Sequence, residues 1–360
     1  MNLDLVLTQT LSQALGPGVV VFALAAIGLN VQFGYTGLLN FGQAAFAGVG
    51  AYGMAMTIST VMPRCVASTN WPCSGLSGVS PQVTFWLSVV VGLVGALLLA
   101  LLLGVSTLRL RADYLAIATV AAAEALRRVV RSVELRDWTG GTEGVRGFAE
   151  TFRDYGYAIG EAFLPPLRPG ENLRIGPLFF TATSLWVMIV GWFLVALCLL
   201  LVWLAMRSPW GRVLRAIRED EDAVRSLGKS AFSYKIQSLV LGGMIGALAG
   251  FIQALRLGNV NPDQYHTTFT FYVYAVLILG GAARVFGPVV GAMLFWGLYN
   301  FLNQLLRQVA ALDVLPEGLL TTTKVDPLVF VLLGAGIIAL LIFRPQGIFG
   351  DRREISLDVR

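Results

Sequence analysis

Long apolar stretches constrain this chain more than any other feature. The clearest cover residues 85–105 and 184–206, and each has the length of about 20 residues that an α-helix needs to cross the roughly 30 Å of membrane hydrocarbon. Because 56% of the 360 residues are hydrophobic and 13% are charged, a single soluble core cannot bury so much apolar surface. The sequence therefore predicts an all-α polytopic membrane protein.

Membrane segments are predicted at nine places, within a range of eight to ten, at residues 17–33, 38–58, 85–105, 112–131, 182–206, 233–255, 269–283, 288–306 and 326–343. Glycines interrupt the second segment and the join between the seventh and eighth, in GYTGLLNFGQAAFAGVGAY and LGGAARVFGPVVGA. Broken helices in both halves of a chain are typical of transporters built from repeats, in which they meet around the transport path. The alternative is two unrelated glycine-rich helix contacts.

The other parts of this single transmembrane domain, residues 1–360, are predicted to lie outside the hydrocarbon. We expect an interfacial helix at 2–15, extracytoplasmic loops at 59–84 and 132–177, a cytoplasmic segment at 207–229 and a cytoplasmic tail at 344–360. This topology gives the cytoplasmic side the basic residues that the positive-inside rule favours, namely Arg109, Arg111, Arg284 and Arg344. Three arginines at the outer end of the fourth segment oppose it, namely Arg127, Arg128 and Arg131.

Cysteine and histidine content limits the chemistry of the chain. Cys65 and Cys73 share one polar loop and form a local disulfide if that loop faces an oxidising compartment; the alternative is two thiols. The one histidine is His266, so neither a metal site nor a bound cofactor is implied. An enzyme is not expected, because no set of nucleophile, base or metal ligands stands out.

Segment 207–229, RSPWGRVLRAIREDEDAVRSLGK, concentrates charge between two apolar stretches. Val213, Leu214 and Ile217 share one helical face, and a second apolar spacing precedes Gly228. The pattern predicts a helix, a turn at the acidic run and a second short helix that ends at glycine. Because such short helices are marginal in water, we expect them to rest in the groove of a partner. The alternative is a solvated loop.

Two further features lie within the membrane segments. Glu124 stands three and four residues before Arg127 and Arg128, and an ionisable residue in a membrane helix is a functional candidate. The alternative is a helix end whose arginines reach the lipid headgroups. Three glycines at a spacing of four predict a close helix contact, namely Gly242, Gly246 and Gly250.

The stretch SPWGRVLRAIREDEDAVRSLGKSAFSYK resembles the cytoplasmic coupling region of the branched-chain amino acid permeases of ABC importers. Asp222, Ala223 and Gly228 stand where that superfamily has the Glu, the first Ala and the Gly of Glu-Ala-Ala-x-x-x-Gly, and Val224 replaces the second Ala. Both glycine motifs above, together with RLRADYLAIAT, WTGGTEGV and FRPQGIFG, are similar to further stretches of the LivM-type subunit. Residues 148–177 and the cysteine loop do not match and look like insertions.

The resemblance implies a non-catalytic permease subunit of a bacterial inner membrane, forming half of a translocation path for branched-chain or other neutral amino acids. It implies a second homologous permease, two cytoplasmic ABC ATPases and an extracytoplasmic substrate-binding protein as partners, with membrane lipid but no nucleic acid. Expected ATPase-coupling residues are Pro209, Gly211, Arg212, Arg215, Ile217, Asp222, Ala223 and Gly228. Expected path residues are Thr36, Asn40, Gln43, Glu124, Gly281 and Gly287.

Two alternatives to this function remain open at the level of the sequence. Urea and short-chain amide permeases share these motifs, and the amide and hydroxyl groups of Asn40, Gln43 and Thr36 suit urea as well. An ion-coupled secondary transporter that uses Glu124 is the alternative from another class.

Overall fold

A helix occupies each of the nine predicted membrane segments in the computed structural model, which describes residues 3–61, 80–108, 112–162, 165–167, 172–175, 178–311, 322–344 and 347–348. Within those ranges, 6 helices are long and apolar enough to cross a membrane. The all-α polytopic architecture is confirmed. The other three predicted segments, which begin at Gln43, Ala112 and Thr267, are shorter or more polar helices packed among these six.

The helices that precede the charged segment are α1 Leu3–Leu15, α2 Pro17–Leu29, a π-helix at Asn30–Tyr35, α3 Gln43–Val61, α4 Pro81–Thr107, α5 Ala112–Arg131, α6 Arg136–Thr139, α7 Glu150–Ala162 and α8 Ala182–Arg207. Those that follow are α9 Pro209–Glu219, α10 Glu221–Ser226, α11 Ala231–Leu257, α12 Thr267–Gly280, α13 Gly287–Ala311 and α14 Thr322–Phe343. Single 3₁₀ turns lie at Pro165–Leu167 and Pro262–Tyr265. The strands are β1 Val145–Arg146, β2 Asn172–Ile175, β3 Leu178–Thr181 and β4 Asn259–Val260, paired antiparallel as β1 with β4 and β2 with β3.

Helix α2 is the centre of the fold, because every residue from Val19 to Leu29 is buried. Helix α11 crosses close to α2 and α3 through the predicted glycine face. A Cβ on Gly242 would collide with the carbonyl oxygen of Gly28 in α2, and one on Gly250 would collide with that of Ala47 in α3. The predicted close contact is confirmed, and it brings three helix backbones together where the membrane supplies no hydrophobic drive for helix association.

The two ends of the bundle carry different structures. At one end lie α9 and α10, the π-helix, the loop 281–286 and Ile348, whose backbone N–H donates to the Leu279 carbonyl oxygen at 3.1 Å. At the other end, β1 pairs with β4 beside the turn Pro262–Tyr265. Segments 207–229 and 132–162 therefore lie at opposite ends, as the predicted topology requires. Which end faces the cytoplasm stays a prediction, and Arg109, Arg111, Cys65 and Cys73 lie outside the described residues.

Segment 132–177 contains ordered helices where the sequence predicts a loop. Phe148 and Phe152 are buried, and the ring of Phe152 lies 6.0 Å from that of Phe85 and 5.6 Å from that of Trp186. Helix α7 thus covers the ends of α4 and α8 with an aromatic face. Helix α1 lies within the segment predicted at 2–15, and its interfacial location stays a prediction. The indole N–H of Trp192 in α8 donates to the Leu15 carbonyl oxygen at 3.0 Å.

Candidate functional site

The chain leaves α-helical geometry between α2 and α3, and we call residues 30–42, which include the π-helix, the first break. The π-helix ends at Tyr35, the backbone reverses at Gly37 with a φ of 74°, and helix resumes only at Gln43. The second predicted segment, 38–58, therefore begins five residues later than expected. The positive φ at Gly37 ends the preceding helix, and the residues that follow it stay non-helical up to Gly42.

Buried polar side chains satisfy the backbone of the first break. Thr36 Oγ1 donates to the Val31 carbonyl oxygen at 2.9 Å and lies 2.8 Å from Ser238 Oγ of α11. Asn40 Nδ2 donates to Gln32 Oε1 at 2.7 Å, and its own Oδ1 accepts from the Gly42 N–H. Non-helical backbone is tolerated at membrane depth only where protein surrounds it in this way.

Helices α5 and α12 hold the first break from its other side. The N–H of Phe41 donates to Thr119 Oγ1 at 3.0 Å, and that of Ala44 to Thr270 Oγ1 at 2.9 Å. Tyr274 Oη donates to the Asn40 carbonyl oxygen at 3.0 Å. The sequence predicted Thr36, Asn40 and Gln43 as path residues but not these partners, because nothing in the spacing of Thr119 and Thr270 relates either residue to the first break.

A second break, residues 281–286, separates α12 from α13 and contacts the first break directly. Gly281 and Ala283 have φ values of 100° and 61°. Asn30 Nδ2 donates to the Arg284 carbonyl oxygen at 2.8 Å, and Asn30 Oδ1 accepts from the Ala283 N–H at 2.8 Å. One amide group, 1% exposed, thus joins the two interrupted segments. Gly281 belongs to this second break, and Gly287 follows it as the first residue of α13.

Replacing Asn30 with alanine is expected to destabilise the fold by about 1–3 kcal/mol, because the partly buried Ala283 N–H then loses its acceptor. Thermal unfolding of the detergent-purified protein measures the loss. The matched control is Asn300→Ala, since Asn300 Nδ2 donates within its own helix, to the Trp296 carbonyl oxygen. Equal melting temperatures of the two variants would contradict the bridging role of Asn30.

Glu124 lies apart from both breaks, towards the opposite end of α5 from α9. Its carboxylate accepts two bonds from Arg127, at 2.6 and 3.0 Å, and Arg127 also donates to Asp263 at 2.8 Å. The six expected path residues therefore occupy three places. Thr36 and Asn40 lie in the first break with Gln43 adjacent to it at the start of α3, Gly281 lies in the second break with Gly287 adjacent to it at the start of α13, and Glu124 belongs to an ion-pair cluster.

Segment 207–229 folds as the sequence predicts. Asp220 Oδ1 accepts from the N–H groups of Asp222 and Ala223 at 2.9 and 3.0 Å, which starts α10, and Gly228 ends the unit with a φ of 74°. Most of the apolar spacing faces the chain itself, because Leu214, Ile217 and Val224 are buried, whereas Leu227 is 80% exposed.

The expected coupling residues divide between a buried and an exposed face of this segment. Gly211 and Ile217 are buried, and a Cβ on Gly211 would lie 2.5 Å from Met206 Cα, so Gly211 allows α9 to pack tightly on the end of α8. The exposed members are Pro209, Arg212, Arg215, Asp222, Ala223 and Gly228. Among the expected coupling residues, direct contact with a partner is thereby limited to the exposed group.

Two arginines attach α9 to the rest of the protein. Arg215 donates to the Met206 carbonyl oxygen at the end of α8 at 2.7 Å. Arg218 donates through Nη1 to the Gly34 carbonyl oxygen of the first break at 2.6 Å. Glu221 of α10 also forms an ion pair with Lys235 of α11. Helices α9 and α10 are therefore joined to α8, α11 and the first break.

Comparison with known protein families identifies the family to which this chain belongs. The family described as "Branched-chain amino acid transport system / permease component" matches residues 18–341. The chain belongs to this permease family. Together with the six apolar helices, membership makes the chain a multi-pass inner membrane protein.

Individual relatives of this permease family align over most of the chain. The high-affinity branched-chain amino acid transport system permease protein LivM of Escherichia coli is 27% identical over 340 residues, covering 91% of this chain and 68% of LivM. LivH of the same organism is 25% identical over 341 residues, covering 93% of this chain and 92% of LivH. A probable LivM of Methanocaldococcus jannaschii is 24% identical and covers 76% of each chain. No solved structure matches.

Proposed function

We propose that this chain is the permease subunit of an ABC importer and forms half of the translocation path for branched-chain or other neutral amino acids. Relatives named as branched-chain amino acid permeases support the substrate class. Because LivM and LivH both align with over nine-tenths of the chain, a second permease of the same fold is the natural partner. The chain itself is non-catalytic, with two cytoplasmic ATPases supplying the energy and an extracytoplasmic binding protein delivering the substrate.

The bond from Arg218 to the Gly34 carbonyl oxygen carries the mechanism. Helix α9 presents an exposed basic face at one end of the molecule, and this bond attaches the helix directly to the first break. A force on α9 therefore acts on the π-helix that leads into residues 37–42. Those residues are not helical, and they rearrange more readily than a helix because fewer backbone hydrogen bonds hold them. Charge-assisted bonds of this kind are among the stronger ones in proteins.

Transport then follows from a sequence of mechanical contacts. Closure of the ATPase dimer moves α9 and α10, which rest in the ATPase grooves. Arg218 transmits the displacement to the first break, and Asn30 transmits it onward to the second. Since both breaks shift together, the path opens to one side of the membrane as it closes to the other.

The relatives include a permease with a different substrate. A permease of another import system, LsrC for autoinducer 2 in Salmonella paratyphi B, is 30% identical over 148 residues, 41% of this chain. Urea and short-chain amides remain the nearest alternatives. Affinities of the partner binding protein for leucine, alanine, glutamate and urea test this point, and binding of urea alone would replace the amino acid.

Association with an ATPase separates the proposal from a secondary transporter that uses Glu124. Co-expression of the neighbouring genes and purification through this chain is expected to recover a cytoplasmic ATPase. If the intact chain never associates with an ATPase and uptake follows an ion gradient, the ABC importer proposal fails.

Charge reversal at Asp222, as Asp222→Lys, is expected to abolish ATP-driven uptake while membrane insertion stays intact. The side chain is 92% exposed, so the fold loses little, whereas a reversed charge at an interface costs several kcal/mol and weakens association by more than about tenfold. Uptake into proteoliposomes and retention of the ATPase during purification measure the effect.

Asp222→Glu is the matched control, because it keeps the charge that the related permeases also carry at this position. We expect near-normal uptake from it. Normal uptake by Asp222→Lys would show that α10 is not part of the ATPase interface.

A further inference from the structure

A cavity of about 260 Å³ lies between α3, α4 and α5, directly beyond the first break. Its lining begins at Ala44, the second residue of α3, and extends to Arg127 and Tyr265 at the end opposite α9. It is smaller than the roughly 300–1,000 Å³ typical of drug-sized sites. A ligand of metabolite size fits this space.

Small residues create the cavity. Gly48, Gly95 and Ala123 line three of its walls, and aliphatic side chains such as Leu126 and Val130 complete them. Almost no polar surface is available within it. The shape and chemistry suit a branched aliphatic group better than urea, which offers only hydrogen-bonding atoms.

Two tyrosines supply a second, independent indication of a ligand. Tyr52 and Tyr265 line the cavity and are 6% and 5% exposed, with ring centroids 6.4 Å apart. Both hydroxyls are buried without a hydrogen-bond partner among the described residues. Buried hydroxyls are nearly always satisfied in native proteins, so each of these calls for a ligand or water atom. Burial raises the pKa of Tyr265, so its hydroxyl is neutral and able to donate at physiological pH.

Charged groups of both signs stand at the end of the cavity. Arg127 lines it and pairs with Glu124 at 2.6 Å and with Asp263 at 2.8 Å. Arg131 lies 3.7 Å from Asp263. A zwitterion matches such a rim, because the carboxylates attract its ammonium group and the guanidinium groups attract its carboxylate.

We propose that this cavity receives the aliphatic side chain of the transported amino acid on the outer side of the first break, with the zwitterionic head at the Glu124–Arg127–Asp263 rim. The inference rests on the proposed importer function and adds the position that the substrate occupies before the breaks rearrange. Glu124 then acts at the entrance of the path, which explains why it is separate from Thr36, Asn40 and Gln43.

Filling the cavity tests the proposal. In the reconstituted importer with its partner subunits and binding protein, Ala123→Leu is expected to raise the KM for leucine uptake at least tenfold while the KM for alanine changes less than threefold. The reason is that the added side chain occupies the volume of the leucine side chain but leaves room for a methyl group. Initial rates with radiolabelled leucine and alanine give both constants.

The matched control is Ala339→Leu on the exposed face of α14, for which both KM values are expected to stay at wild-type levels. Equal KM changes for leucine and alanine in Ala123→Leu, or none, would overturn the cavity proposal and indicate a packing space or a lipid acyl chain there. If wild-type protein shows no ATP-dependent uptake of either amino acid, the importer function itself fails, which is a different result.

Removal of the two hydroxyls keeps the test independent of how well Ala123→Leu folds. Tyr52→Phe and Tyr265→Phe are expected to keep or raise the melting temperature, since each removes an unsatisfied buried group, while raising the KM for leucine several-fold. A raised melting temperature with an unchanged KM in both variants would show that the hydroxyls do not meet the substrate and would overturn the proposal.

Discussion

An importer carrying Arg218→Ala is expected to hydrolyse ATP but to transport almost no substrate. The side chain donates to the Gly34 carbonyl oxygen of the first break at 2.6 Å from a helix that is exposed on its other side. Loss of this charge-assisted bond removes about 1.5–3 kcal/mol of coupling, roughly a ten- to hundredfold reduction in transport per ATP hydrolysed. The ratio of uptake to ATPase activity in proteoliposomes measures it directly.

Arg218→Lys is the matched control, because the ammonium group keeps one charged donor at the same position. We expect it to recover part of the transport-to-hydrolysis ratio. A proportional loss of uptake and hydrolysis in Arg218→Ala would instead place Arg218 in the ATPase contact. Unchanged uptake would show that α9 drives the first break by some other route.

Local patterns in the sequence predicted local structure well. The spacing of Leu214, Ile217 and Val224 and the glycine at 228 gave α9, α10 and their end, because helix periodicity and a positive φ are properties of neighbouring residues. The glycines of the two breaks likewise marked where helix stops. Each of these features is determined mainly by residues within one or two helical turns of it along the chain.

Partners distant in the chain were not predictable in the same way. Arg218 bonds to a residue 184 positions away, and Asn30 to one 253 positions away, so no spacing relates them. The prediction that the apolar face of α9 rests in a partner's groove was wrong for Ile217, which is buried against its own chain. An apolar stripe on a helix does not reveal whether it packs on a partner or on its own chain. Glu124 was predicted as a path residue only because it is an ionisable residue in a membrane helix, whereas the structure places it beside a separate cavity.

Glycine at 250 is the position where substitution is expected to damage the fold most. A Cβ there would collide with the carbonyl oxygen of Ala47 and approach its carbonyl carbon to 2.7 Å. Both are backbone atoms of a buried helix, so neither rotates away, and Gly250→Leu must push α11 from α3. We expect a loss of about 3 kcal/mol or more and little folded protein in detergent.

Gly336→Leu on α14 is the matched control, because no atom among the described residues lies within 4 Å of a Cβ at that position. Size-exclusion profiles and melting temperatures should separate the two variants clearly; similar yields of folded protein would contradict the close contact. The separation matters for transport as well, since α11 carries Ser238 to Thr36 of the first break. A helix displaced by one added side chain cannot keep that hydroxyl at 2.8 Å, so Gly250 fixes both the bundle and the geometry of the moving segment.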